Sequence, residues 1–217
     1  MCNLYDIGRA LRHRSRDDWE EAVAHALKES RKSFGVRKTD PGLVVTHSGE
    51  GPQASTMRWG FDRSFNSAIN NARSDKLGGM WSDAWKGRQR CVIPVSTFYE
   101  WTGPPGNKQT YAFEPAADRN LLWAAGLWEE PPNDSSFNCS CYTMLTTQAK
   151  GTVAEIHDRM PAFLQPNQFE EFFTASDPRD LLDSGNGQLN RFRSENPLKN
   201  PEHHEGPVKQ SMLPGFE

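Results

Sequence analysis

Apolar positions early in the chain recur at helical spacing behind an acidic start. Asp17-Asp18-Trp19-Glu20 supplies an acidic cap with Glu20 three residues on, and Trp19, Val23, Ala26 and Leu27 follow on one face. This predicts a helix that ends near Gly35. The pattern then changes to short β-branched and aromatic runs. Leu43-Val44-Val45-Thr46 predicts a short strand, Ser48 to Ser55 a Gly/Pro-bearing loop, and Met57 to Phe61 a further extended segment. Cys91 to Trp101 predicts one or two strands about Pro94, followed by a turn over Thr102 to Asn107. Tyr111 to Phe113, Leu121 to Trp128 and Tyr142 to Thr146 predict more strands. Asn167 to Phe173 and Pro178 to Leu182 predict short helices, the second with Pro near its first turn. From about Ser194 the composition turns polar and Pro-rich, which predicts an extended tail. With no internal repeat and no linker, the expectation is one α+β domain over residues 1–217 with a strand-rich centre.

Composition sets the limits on that picture. Of 217 residues, 35% are hydrophobic and 24% charged, with 7 Trp and 12 Phe, enough for an aromatic-rich core and against global disorder. The net charge of −3 means that a nucleic-acid partner would need a local basic groove rather than a global field. No apolar stretch is long enough to span a bilayer and no signal peptide opens the chain, so a soluble, reducing, cytoplasmic protein is expected. Cys2, Cys91, Cys139 and Cys141 form no CxxC pair, and their spacing with His203 and His204 fits no zinc pattern, so neither metal nor cofactor is expected. A monomer is the default.

Cys2 carries the most specific chemistry. If Met1 is removed, Cys2 presents an amine and a thiol on adjacent carbons. An aldehyde condenses with the amine to a Schiff base, and the thiol then closes a five-membered thiazolidine ring. The reference pKa values of about 7.7–8.0 and about 8.5 leave a reactive fraction of each group near neutral pH. Other polar residues stand in apolar or structured surroundings, each with an ordinary alternative. Glu100, between Tyr99 and Trp101, either points to water or is buried with a raised pKa suited to proton transfer. His157 precedes Met160-Pro161 at a loop or strand end. Asn71 suits a turn. Arg73 and Arg159 are surface charges or anion contacts.

The order of these segments adds what no single residue carries. Met1-Cys2 at the start, Asn71-Ala72-Arg73-Ser74-Asp75, Arg90 to Val95 leading into Phe98-Tyr99-Glu100-Trp101, and His157-Asp158-Arg159-Met160-Pro161 follow one another. The set closely resembles the SRAP (SOS response-associated peptidase) family of abasic-site-processing, DNA-crosslinking proteins, from residue 2 to about residue 164. Leu189 to Phe192 resembles that family's closing segment more loosely. The resemblance implies a single SRAP-type domain with a barrel-like centre and peripheral helices. It implies capture of abasic sites in single-stranded DNA as a thiazolidine on Cys2, protecting the lesion during the DNA damage response, at the nucleoid when DNA-bound. Lyase and (auto)peptidase activities are companion expectations.

Residue by residue, the resemblance makes Glu100 the proton-moving glutamate and His157 the active-site histidine. Asn71 becomes the residue that orients the cysteine, and Arg73 and Arg159 become phosphate contacts. Asn3 is a further DNA contact, and Trp59 a base-stacking surface, with core packing as the alternative for it and for Trp101. The chain departs from the family where Asn3-Leu4 replaces the frequent Gly-Arg, and where Asp75 stands in a position in which Glu is familiar. Two other function classes remain: a cysteine-type peptidase with Cys2 as nucleophile, and a non-covalent single-strand binder whose complexes dissolve in high salt. The first residues are expected to contribute little core.

Overall fold

The computed structural model describes residues 2–8, 17–29, 35–116, 121–131, 139–184 and 189–199. The chain opens with β1 (Leu4–Asp6), α1 (Asp18–Glu29) and β2 (Val36–Arg37). A long hairpin of β3 (Pro41–Ser48) and β4 (Gly51–Trp59), a small one of β5 (Phe61–Arg63) and β6 (Asn66–Ile69), and the short β7 (Asn71–Arg73) follow. Next come α2 (Ser82–Lys86), β8 (Arg90–Val95), β9 (Thr97–Thr102), β10 (Gln109–Pro115), β11 (Leu122–Glu129) and β12 (Cys141–Gln148). The last elements are α3 (Gly151–Ala154), β13 (Arg159–Pro161), β14 (Phe163–Leu164), α4 (Phe169–Thr174), α5 (Leu181–Ser184) and β15 (Leu189–Ser194).

Strands β3, β4, β12, β11 and β8 pair in that order, and β8 returns to β3, so a sheet closes on itself as a ring. The ring is the barrel-like centre of an α+β fold. Closure also removes the open edges that a flat sheet would expose. A second sheet, ordered β15-β10-β9-β1-β2, lies beside it. The chain passes from ring to sheet across Ser96 alone, whose N–H donates to the Asp6 carbonyl at 2.8 Å. Alternation along β9 then decides direction. Phe98 faces inward, stacked on Phe113 at 4.9 Å and against Phe163 at 5.6 Å, and Glu100, two residues on, shares that face. Tyr99 and Trp101 face the other way and gather with Leu4 and Ala112.

The predicted elements are recovered with five corrections, one being that the helix expected over Pro178 to Leu182 runs over Leu181–Ser184, with Pro178 ahead of its first turn. Ser48 to Ser55 is not a loop: β4 begins at Gly51, and every residue from Pro41↔Arg58 to Ser48↔Gly51 pairs with β3. The outer part of this hairpin has no buried face, so the alternation that marks a strand is missing from its sequence although its backbone pairing is complete. Asn71 is not a turn residue but starts β7, which lies parallel to β12 with Met144↔Asn71 and Thr146↔Arg73. Pro94 does not divide the run; the break is at Ser96, and Pro94 sits where β8 no longer pairs with β3. The first residues do contribute core, since Cys2, Leu4, Tyr5 and Ile7 are all fully buried. Residues 30–34, through which the helix was expected to run toward Gly35, His203 and His204, and the tail beyond residue 199 lie outside the described residues. Among the described residues no helix is long and apolar enough to cross a membrane.

Helix α1 starts as its sequence predicts, with the Glu20 N–H donating to Asp17 Oδ1 at 2.8 Å. Its Trp19 docks between His47 of β3 and Phe173 of α4, at ring distances of 5.9 and 5.6 Å. Arg90 holds α4 from below. It is buried, lies over the Trp85 ring at 4.5 Å, and donates to the carbonyls of Phe172 (2.8 Å), Ala175 (2.7 Å) and Trp85 (3.1 Å). It thus satisfies carbonyls at the end of α4 that have no helical partner. Burial pushes the guanidinium down to about 10, still charged at neutral pH. Arg90→Met is therefore expected to destabilise the protein by about 3 kcal/mol, by orphaning several buried carbonyls at once. Urea unfolding checks this, and Arg90→Lys should restore only part, because an ammonium lacks the planar fork.

Candidate functional site

The fold brings the amino terminus to the seam between ring and sheet. Strand β1 pairs with β9 at Tyr5↔Phe98 and Asp6↔Thr97, and with β2 at Leu4↔Arg37 and Tyr5↔Val36. Several contacts pin so short a strand. The Tyr5 ring meets Trp59 edge-on at 5.0 Å, and its hydroxyl shares a 2.5 Å hydrogen bond with Tyr142 of β12. Only glycine fits beneath that pair. A Cβ on Gly42 would lie 2.1 Å from the Tyr142 hydroxyl and 2.5 Å from that of Tyr5. Asp6 accepts from the Tyr99 hydroxyl at 2.7 Å and from the Gly35 N–H at 2.5 Å.

Cys2 precedes this strand and is completely buried. Its Sγ donates to the Leu4 carbonyl at 3.4 Å. Its own carbonyl accepts two side-chain amides, from Asn71 at 2.8 Å and Asn70 at 3.2 Å. Asn70 is held in turn through its backbone carbonyl, which accepts Trp59 Nε1–H at 2.9 Å and the Met144 N–H at 3.0 Å. Burial, and next the negative charge of Glu100, push the Cys2 thiol well above its ordinary value, so it is a thiol at neutral pH.

Glu100 is 1% exposed. Burial pushes its carboxyl up to about 7, against the opposing charge of the amino terminus. His157 lies just before β13, where a loop end was predicted. Its Nδ1 accepts the Arg159 N–H at 2.9 Å, and the Asp158 carboxylate lies 2.8 Å from the same nitrogen. The two contacts ask opposite things of Nδ1. The backbone donor decides, because burial, followed by the charge of the amino terminus, lowers the pKa of His157. The imidazole is neutral with its proton on Nε2.

Arg73 and Arg159 reach the same place from two strands that flank β12, at Thr146↔Arg73 and Gln148↔Arg159. Arg159 donates to the Thr146 carbonyl. Arg73 pairs with Asp75 through Nε at 3.0 Å and Nη2 at 2.7 Å. The site therefore gathers Cys2, Asn71, Glu100, His157, Arg73 and Arg159. Asn3 is exposed, and its Oδ1 accepts from Asn70 at 3.4 Å. Trp59 must be reassigned. It is fully buried in the core and offers no face to a base; it supports Asn70 instead. Trp101 is half-buried on the outer face of the second sheet. Sequence reasoning missed Asn70 as a functional residue. The doublet Asn70-Asn71 was its only signal, and a strand would ordinarily send the two side chains to opposite faces.

A family model described as SOS response associated peptidase (SRAP) matches residues 1–194. The chain belongs to the SRAP family. Relatives share the relation at modest identity. The Bacillus subtilis (strain 168) abasic site processing protein YoqW is 27% identical over 168 residues, 72% of this chain and 73% of that protein. The Xenopus tropicalis abasic site processing protein HMCES is 34% identical over 144 residues, 52% of this chain and 42% of that protein. The SRAP fold is matched by a crystal structure of a Bordetella bronchiseptica protein with a TM-score of 0.70, at 24% identity over 90% of this chain and 100% of that one. A Bacteroides thetaiotaomicron protein matches with a TM-score of 0.63, at 18% identity over 91% of this chain and 92% of that one.

Proposed function

We propose that this chain processes abasic sites by covalent capture in single-stranded DNA, through Cys2 freed of Met1. The observation that carries the reading is the carbonyl of Cys2, gripped by Asn70 and Asn71 beside a buried Glu100. Fixing that carbonyl fixes the Cα of Cys2, and with it the directions of amine and thiol. Reaction of an amine with an open-chain sugar aldehyde then becomes effectively unimolecular. The family relation and the names of the relatives support the same reading.

The steps balance without a co-reactant. The amine adds to the aldehyde carbon, and loss of one water gives the imine. The thiol then adds across C=N, its sulfur to carbon and its proton to nitrogen, closing the thiazolidine. Glu100, with a pKa near neutrality, takes a proton from the amine or thiol and returns it to the departing hydroxyl or the ring nitrogen. His157, neutral and protonated on Nε2, serves as a donor to the sugar hydroxyl or imine. Arg73 and Arg159 hold the flanking phosphates.

The peptidase reading is weaker for a physical reason. A peptidase nucleophile is a thiolate stabilised by a neighbouring cation. Burial and the Glu100 charge both disfavour the Cys2 thiolate, and the lowered pKa of His157 disfavours an imidazolium partner. The test is an intact mass spectrum after incubation with a single-stranded oligonucleotide carrying one abasic site. The expected species is protein lacking Met1 plus the oligonucleotide minus one water. Loss of Met1 without any adduct would overturn the covalent reading.

A further inference from the structure

The phosphate-holding arginines already hold an anion. The two donors of the Arg73 fork close on the two oxygens of Asp75, at 3.0 and 2.7 Å. Arg159 Nη2 lies 3.4 Å from Asp75 Oδ1, so one carboxylate bridges two guanidinium groups. A planar, doubly charge-assisted contact of this kind is the one that a guanidinium makes with two oxygens of a phosphate. Arg73 and Asp75 are open to solvent, with side-chain exposures of 47% and 50%, while Arg159 reaches them from a mostly buried position. Arg73 is two residues from Asn71 on β7, so both share a strand face, about 6.6 Å apart along the strand. Asn71 holds Cys2, which puts the bridge one short reach from the reacting residue. At the amino terminus Asn3 is neutral and Leu4 is buried, so neither brings a further positive charge to the site.

We infer that Asp75 is an internal counter-anion that occupies the phosphate seat of Arg73 and Arg159 and must give way when a DNA backbone phosphate enters. The inference rests on the DNA-binding reading above and adds to it a residue that sets affinity. Its physical basis is the small net worth of exposed ion pairs, which makes the carboxylate displaceable. After displacement Asp75 remains beside the phosphate and repels it. Its carboxyl is held down to about 2, with the Arg73 hydrogen bond as the largest cause, so it stays charged across the physiological range. Asp158 is the other anion whose charge acts on both arginines, and it makes no part of the fork.

The test is non-covalent. A fluorescein-labelled single-stranded oligonucleotide without an abasic site is titrated against the full chain, and anisotropy is read over a salt series. Asp75→Asn is expected to tighten binding about three- to ten-fold and to steepen the slope of log K against log salt by about 0.7, one effective charge on a single strand. Adding Arg73→Ala to Asp75→Asn should erase the gain. Wild-type binding with an unchanged or weaker Asp75→Asn variant would overturn the inference and make Asp75 an organiser of the arginines. An equal gain from Asp158→Asn would also overturn it, by reducing the effect to net charge. Failure of both wild type and Asp75→Asn to bind at low salt would instead sink the DNA-binding reading, and this inference with it.

Discussion

Cys2→Ala is expected to abolish the covalent adduct with abasic DNA, leaving no residual slow reaction. Alanine keeps the amine and can still form an imine, but an imine reverses in water, and only the thiol closes the ring that traps it. The full buried position means that this change also costs stability, about 1 kcal/mol for one lost sulfur in a packed site. A thermal melt run beside the crosslinking assay separates the effects. The Tm should fall by a few degrees and the adduct should vanish. A variant that keeps one residue before Cys2 completes the argument, because its thiol is intact but its amine is an amide. It too should give no adduct. Normal crosslinking by either protein would refute the thiazolidine.

Glu100→Gln is expected to slow adduct formation by about 10²–10³-fold while leaving affinity for undamaged single strands within two-fold or so, the signature of a proton carrier. The pH dependence gives a second, independent readout. In the folded protein burial raises this carboxyl from its ordinary value of 4.5 to about 7. Folding therefore favours the protonated form. The associated stability is fully present below the unfolded value and is lost as pH rises from about 4.5 through about 7, by about 3 kcal/mol in total. Acting as the base, Glu100 works as the carboxylate, so the crosslinking rate should rise over the upper part of the window in which stability falls. In Glu100→Gln both pH dependences should flatten between pH 5 and 8. A mutant that retains the rise in rate near pH 7 would assign that titration to another group.

Much of the chemistry was legible because it depends on residue identity. Only an amino-terminal cysteine unites amine and thiol, and the segments around Asn71, Glu100 and His157 occur in an order that specifies the family. The direction of Glu100 was open in the sequence, since a strand residue between Tyr99 and Trp101 can face either way. Phe98 and Phe113 settle it, because packing those rings inward against Phe163 carries Glu100 inward with them. Trp59 stands open in the sequence between a base-stacking surface and core packing for lack of that information. An aromatic residue has the same appeal to a core as to a nucleobase, and only its contacts with Tyr5 and Asn70 show which it serves. Strand β1 and the outer half of β4 were invisible for another reason. One is three residues long, and the other is wetted along its outer half, so neither carries a hydrophobic period.

By itself the sequence supplied the candidate functional groups, their order along the chain, the resemblance to the family and the strand-rich α+β class. The groups and the fold class follow from local composition and spacing, and the family from the resemblance of the ordered motifs. The tertiary structure decided which groups meet. Strand β7 lies along β12 just past the pairing of β12 with β4, and that parallel pairing places Asn71 toward Cys2 and Arg73 beside Arg159. It also decided protonation. A carboxyl near 7 and a thiol held neutral are consequences of burial by residues distant in sequence, and desolvation has no signature in the order of amino acids.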